Sequence, residues 1–307
     1  IVVGLNLSSV LSMEQIVQSI LHSNHRRLDL MAKIDKSKYT KQEIAEIKER
    51  KRKRKLEKEF AKRQKLFNTD PTSTDKNILV LKHGTKYGAD YVNKMYNMVS
   101  RNLEYDFNFY CITEDPKELD PNIIVIPLPQ VAVNGWWYKP YIYSNDIPIE
   151  GTILYLDLDM VITNSLDRLF DFYPGEYCVL RDFTRAMRPN WEKYNSSVVR
   201  FEKGQLDYVW QKFKAQSQNI MRRHFGDQDY LWEETQGKAK YFPDPWIRSW
   251  KWEVRKDKRF RPGQSRGNRE LMIIEDTVAP SDCCIVAFHG DPNPHRCKDP
   301  YIIKKWV

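Results

Sequence analysis

No uninterrupted apolar run in this sequence reaches the ~18 residues that a membrane-spanning helix requires. Its opening, IVVGLNLSSV, has neither the basic flank nor the cleavage site of a secretion signal. Cysteine is also scarce. The five present, Cys111, Cys178, Cys283, Cys284 and Cys297, are odd in number and form no CxxC pair, which argues against a disulfide framework and for a reducing compartment. There is no P-loop, no dinucleotide fingerprint, no internal repeat and, outside one basic stretch, no low-complexity tract. These absences predict an intracellular, cytoplasmic chain. With 41% hydrophobic and 13% aromatic residues over 307 positions, a disordered or fibrous chain is excluded and a substantial core is expected.

The formal charge is +9, and its distribution says more than its size. Residues 33–65 hold 15 basic and 6 acidic side chains, a net of +9, so the rest of the chain sums to zero. Thr40 and Glu43 have the spacing of a capping box, and Ile44, Ile47, Leu56, Phe60 and Leu66 recur among the charges of a long helix. An earlier helix is expected from Ser12, with Gln15 three residues on. The unbroken run of Lys and Arg from Arg50 to Lys55 reads either as a solvated helix face or as an arm that contacts phosphates through counterion release. Membrane-surface attachment is the weaker reading, because no bulky apolar face accompanies the charge. The Pro-, Ser- and Asp-bearing stretch LFNTDPTSTDKN then reads as a linker, dividing a basic helical region, 1–75, from a second domain, 76–307.

The pattern changes in that second domain. The runs at 77–81, 107–113, 122–128, 152–158 and 284–290 are short and rich in β-branched and aromatic residues, and DYVNKMYNMVSRNL has helical spacing between the first two. Strand, helix, strand predicts an α/β fold with a Rossmann-like, mostly parallel sheet flanked by helices and a ligand site at the carboxyl ends of strands.

Asp157 and Asp159 lie one residue apart in ILYLDLDMVIT, at such an end. Two like charges on one strand face repel, and a hard divalent cation is a natural compensation that can also hold a diphosphate. An isolated pair of this kind also serves as a cap or faces solvent. In CIVAFHGDPNPH, His289 follows another strand and could be a satisfied core histidine or a nitrogen ligand, the latter favouring manganese over magnesium. Zinc held by Cys283, Cys284, His289, His295 and Cys297 is a poor alternative, because adjacent cysteines lack the usual ligand spacing.

In this order, ILYLDLD, YNSSVVRF, FGDQDYL and FHGDPNPH resemble the GT-A glycosyltransferases, particularly the retaining, glycogenin-like enzymes of family 8. The resemblance runs from about Asn77 to the C-terminus and implies a metal-dependent enzyme moving a hexose or pentose from a nucleotide-diphosphate sugar, with uridine as the expected base. It implies Asp157, Asp159 and His289 as ligands of Mn2+ or Mg2+, and Lys139 in WWYKPYIY as a cation for the donor. Asn195, Asp227, Gln228 and Asp229 would line the sugar and reaction centre, with Asn195, Gln228 and Asp229 the catalytic candidates and Asp227 on the donor. His83, Gly84 and Tyr87 in KHGTKYGAD follow the first strand where a nucleotide would sit, and Gly290 opens the loop after His289. One departure is Asn293, where the family often has Lys; Arg296 or Lys298 could replace that contact.

The resemblance leaves the acceptor open. A glycan or lipid-linked sugar is the family default. The basic segment 33–65 motivates a second possibility, DNA with a hydroxylated base, as in modifying enzymes of phage-infected hosts, the base being flipped to reach the site. A third, of another class, is a non-catalytic protein that only binds nucleic acid.

Overall fold

The structure, a computed structural model, describes residues 74–255 and 278–307, together with Thr40 and residues 46–48, 50, 51, 54, 55 and 58. The chain divides into two compact units, Ile1–Lys58 and Glu59–Val307. In the first, the described residues between 46 and 58 are helical, and Lys48, Arg50, Lys51, Lys55 and Lys58 are exposed. The helix expected from Ser12, the capping partner Glu43 and most of the linker before residue 74 lie outside the described residues.

The second unit is built around a mixed sheet. Its first half is β1 (Lys76–Lys82), α1 (Ala89–Asn102), β2 (Asn108–Thr113), β3 (Ile124–Ile126) and β4 (Thr152–Leu156). β1, β2, β3 and β4 pair in parallel in the spatial order β3-β2-β1-β4. Next come β5 (Met160–Ile162), α2 (Asp167–Asp171), β6 (Cys178–Arg181), β7 (Tyr194–Glu202), α3 (Asp207–Arg223), α4 (Asp227–Thr235) and β8 (Lys240–Tyr241). β7 joins β4 antiparallel, and β6 and β8 complete seven strands. β9 (Ile247–Ser249) and β10 (Ile285–Ala287) form a second sheet with β5, in the order β5-β10-β9. A short helix, α5 (Pro300–Lys305), ends the chain.

Alternation within the strands explains why the large sheet is covered on both faces. In β1, Ile78 and Val80 join one apolar cluster while Leu79 and Leu81 join the other; in β4, Leu154 and Leu156 oppose Ile153 and Tyr155 in the same way. α1 seals the first face with Tyr91, Val92, Met95, Met98 and Val99, the helical spacing visible in the sequence.

The expected strand at 152–158 ends at Leu156. Asp157 and Asp159 therefore stand in the turn between β4 and β5, with Leu158 buried between them. The Asp157 amide donates to the Ser197 carbonyl (2.8 Å), so the chain leaves β4 still tethered to β7. β6 was not expected from the sequence; its two branched residues fall short of a clear period.

A fully buried guanidinium holds the end of α2. Arg200, in β7, donates to the carbonyls of Leu169 (3.1 Å), Phe170 (2.7 Å) and Glu176 (3.0 Å), and also to those of Phe172 and Tyr173. Those carbonyls lack helical partners and would be costly to bury alone. Arg200→Met should therefore lower unfolding free energy by roughly 3 kcal/mol or more, read from the denaturant midpoint at unchanged slope.

Candidate active site

The sequence-predicted residues gather where β4, β7 and the start of α4 meet the small sheet. At the centre is Lys139, carried by a 3-10 helix, Gly135–Tyr143, and 7% exposed. Its ammonium lies 2.9 Å from Asp157 Oδ1, 3.0 Å from Asp157 Oδ2 and 3.6 Å from Asp227 Oδ2. It also donates to Ser196 Oγ (3.3 Å), which in turn donates to Asp227 Oδ2 (3.1 Å). Burial alone would lower the Lys139 pKa; Asp157 and Asp227 outweigh it and hold the group above its ordinary value. Tyr155 Oη adds a 2.6 Å bond to Asp157 Oδ1.

Among the described residues no cation is in contact with Asp159. Tyr87, from the loop after β1, donates to its Oδ2 (3.0 Å) and is 3.2 Å from Asn293 Oδ1. Burial, and then the neighbouring Asp157 carboxylate, push the Asp159 pKa up to about 7. Burial raises that of Asp227 too, with Lys139 opposing the shift.

Asn195 and Gln228 share a partner that sequence reasoning missed. Asp182, just beyond β6, accepts from Asn195 Nδ2 (3.2 Å) and Gln228 Nε2 (3.3 Å) through one oxygen, while the other caps the turn that follows by accepting from the Thr184 amide (2.9 Å). Its only sequence signal, Asp two residues before Thr, reads as an ordinary cap. The Ser196 amide is 3.4 Å from Gln228 Oε1, which links this group to Lys139. Asp229 pairs with Lys193 at 3.2 Å.

His289 follows β10. The backbone there is tied to the aspartate turn, because the Phe288 amide donates to the Asp159 carbonyl (3.0 Å). Its ring stacks on Phe183 (centroids 5.0 Å apart, 6° between planes), meets the edge of Trp252, and places Nε2 2.7 Å from Ser249 Oγ. Burial, then Lys251, depress its pKa to about 3, so the imidazole is neutral at ordinary pH. Among the described residues no three His, Cys, Asp or Glu side chains converge as a ready-made cation cage, and this includes the cysteines considered for zinc. His83 packs against Tyr138 (5.5 Å), and the Gly84 amide donates to Glu114 Oε1 (2.6 Å); both lie at the carboxyl end of β1, beside Tyr87. Arg296 is 3.7 Å from Asp291, and Lys298 is exposed.

The raised Asp159 pKa has a definite sign. Between about 4 and about 7 the folded chain holds this proton and the unfolded chain does not, so the group's contribution to stability falls as pH rises through that window. His289 acts oppositely, its contribution being lost as pH falls from about 6.5 toward 3. The comparison must therefore be with a variant: Asp159→Asn should gain thermal stability over the wild type as pH rises from 4 to 7, with the gap level above 7, in melting curves without metal. Lys139→Met, which strands the buried Asp227 and the half-buried Asp157, should be destabilised by about 3 kcal/mol near pH 8 and recover in acid.

The chain matches no protein-family model and no curated protein sequence. Solved structures do share its architecture. One is a galactosyltransferase, LgtC, crystallised with donor and acceptor sugar analogues: 15% identity, TM-score 0.51, covering 74% of this chain and 93% of that one. Others are the glycosyltransferase GlyE of Streptococcus pneumoniae, at 15% identity and TM-score 0.45 over 56% of this chain and 46% of that one, and mouse xyloside xylosyltransferase 1, at 17% and 0.38 over 57% and 88%. The likeness to LgtC, with the seven-stranded, mostly parallel sheet flanked by helices, gives the second unit the GT-A glycosyltransferase fold.

Proposed function

We propose that residues 76–307 form a glycosyltransferase domain that moves a sugar from a nucleotide-diphosphate donor, with UDP-sugar the first choice, to an acceptor hydroxyl. The observation that carries this reading is the position of Lys139, which ties Asp157 of the turn after β4 to Asp227 at the head of α4 within a GT-A fold. In the reaction the bond from the anomeric carbon to the diphosphate oxygen breaks with its electron pair left on the diphosphate. The acceptor oxygen forms the new bond, and its proton leaves with the diphosphate.

Asp157, Asp159 and His289 do not converge as a ready-made cage, but their donor types suit a divalent cation. Asp157 and Asp159 bring hard oxygen donors within one turn, and the cost of ionising Asp159 beside Asp157 is what a cation would remove. Neutral His289, tied by the neighbouring backbone to Asp159, would supply the nitrogen that favours Mn2+ over Mg2+. Bound there, the metal supplies Lewis-acid stabilisation of the departing diphosphate. Lys139 fixes the orientation of Asp157, while Asn195 and Gln228, aligned by Asp182, present amides to the hydroxyls and reaction centre of the sugar. His83, Gly84 and Tyr87 line the nucleotide side, and Gly290 lies beside the phosphates. Asp229, paired with Lys193, is the outermost member of this group.

A second reading of the acceptor, hydroxymethylated DNA, is favoured by one feature: the entire net charge of +9 is confined to residues 33–65.

Nucleoside diphosphate released from a panel of nucleotide sugars with Mn2+ tests the enzyme: Asp157→Asn and Asp159→Asn should each lose at least about 100-fold of the wild-type rate. A wild-type chain that releases none from any donor rejects enzymatic transfer and favours a binding protein. Mn2+ should raise the melting temperature more at pH 8 than at pH 6, since below about 7 it must displace the proton on Asp159. For the DNA acceptor, deleting residues 33–65 should weaken duplex binding and flatten its salt dependence; unchanged binding removes that reading.

A further inference from the structure

β9 and β10 run parallel with Ser249 opposite Ala287, and β5 runs against β10 with Met160 opposite Ala287. The segment leaving β9, the segment leaving β10 and the turn entering β5 therefore meet at one end of the small sheet. The first brings Lys251, the second His289 and Gly290, the third Asp159.

Lys251 is a cation at that end; Asp291 and Arg255 act on it electrostatically without contact. Its ammonium donates to the His289 carbonyl and flanks the Trp252 ring at 5.7 Å, and no carboxylate of the described residues lies within ion-pair distance. The other candidates are engaged or outside. Lys139 is held by Asp157 and Asp227, Arg296 stands beside Asp291, and Lys86 is exposed over the Tyr87 ring. Asn293, a polar side chain of the loop after His289, lies 3.2 Å from the Tyr87 hydroxyl that Asp159 shares. Gly290 adopts φ +73°, and a side chain there would begin 3.3 Å from Lys251 Nζ, so glycine leaves that flank of the ammonium uncovered. An ammonium has three hydrogens to donate, and here one carbonyl takes one of them. Half-buried between Trp252 and an open glycine, the group has the hydrogens and the charge that suit an anion.

Resting on the donor reading above, we propose that Lys251 is a diphosphate-binding residue, contacting phosphoryl oxygens of the donor and offsetting the negative charge left on them when the sugar departs. It reaches the site from the turn after β9, an element that carries none of the other donor-site residues named here. The same contact serves binding of the product diphosphate, which makes it measurable without turnover.

The test is calorimetry of the full chain with Mn2+, titrating UDP, GDP, ADP, inorganic pyrophosphate and the matching nucleosides into the wild type, Lys251→Gln and Lys251→Arg. Glutamine keeps a donor for the His289 carbonyl and removes the charge. The expected result is a loss of about tenfold or more in diphosphate and pyrophosphate affinity for Lys251→Gln, with nucleoside affinity unchanged, a shallower salt dependence, and most of the affinity retained by Lys251→Arg. Equal diphosphate affinity in the wild type and Lys251→Gln overturns the proposal and leaves the donor reading intact. A wild-type chain that binds neither pyrophosphate nor any nucleoside diphosphate overturns both. Acylation of Lys251 in the wild type, followed by mass spectrometry, needs no variant to fold: saturating pyrophosphate should slow it, and unchanged labelling counts against the contact.

Discussion

The candidate site depends on one ammonium ion held between a buried carboxylate, Asp227, and a half-buried one, Asp157. Lys139 is deep enough that water contributes little to its solvation, so Asp157, Asp227 and Ser196 must replace that solvation, and they reach it from three different elements. Because each carboxylate is also costly to bury without its cation, the three segments hold one another: the turn after β4, the strand β7 and the head of α4. The 3-10 helix that delivers Lys139 has Trp137 and Tyr141 packed into the apolar cluster on that face of the sheet, which anchors the ammonium in position.

Around this centre the site is made of amides and carboxylates that position each other. Asp182 aligns Asn195 with Gln228, and the turn it caps carries Phe183, the ring on which His289 stacks. Arg185, buried in the same turn, reaches the Ile247 carbonyl (2.7 Å) and Glu253 (3.3 Å), whose carboxylate accepts from the Ser249 amide (2.7 Å). Ser249 then meets His289. Fixed dipoles of this kind cost no reorganisation when charge moves during a reaction.

Much of the fold is legible in the sequence, because β1, β2 and β4 are apolar runs whose alternate residues enter two cores, and α1 repeats every three or four residues. Asp157 and Asp159 were legible as candidates because charge inside an apolar run is conspicuous, whereas Lys139 stood out only through the resemblance to the GT-A enzymes. The turn that separates the aspartates from β4 was not legible, since an apolar Leu158 between them looks the same in a strand as in a buried turn. Asp182 was hidden by its local role as a cap, and β6 by its brevity. Lys251 sits among tryptophans in PWIRSWKW, where packing is the ordinary expectation; only the register of β9 with β10 brings it to the His289 loop. Contacts across long stretches of chain leave no periodic trace, and most of this site is made of them.

The Tyr87 hydroxyl touches Asp159 at a separation of 72 residues and Asn293 at 206. During synthesis the first of these contacts has its parts available once β4 and β5 have emerged, but the second must wait until the loop after β10 has followed. Until then β5 lacks β10, its neighbour in the small sheet, and the aspartate turn lacks the loop that follows β10. Loops this long are entropically slow to close. All strands of the large sheet precede β10 in the chain, so the frame that holds Asn195 and Asp157 has its parts available before the His289 loop can close over the aspartate turn, and the candidate site is completed only after that frame.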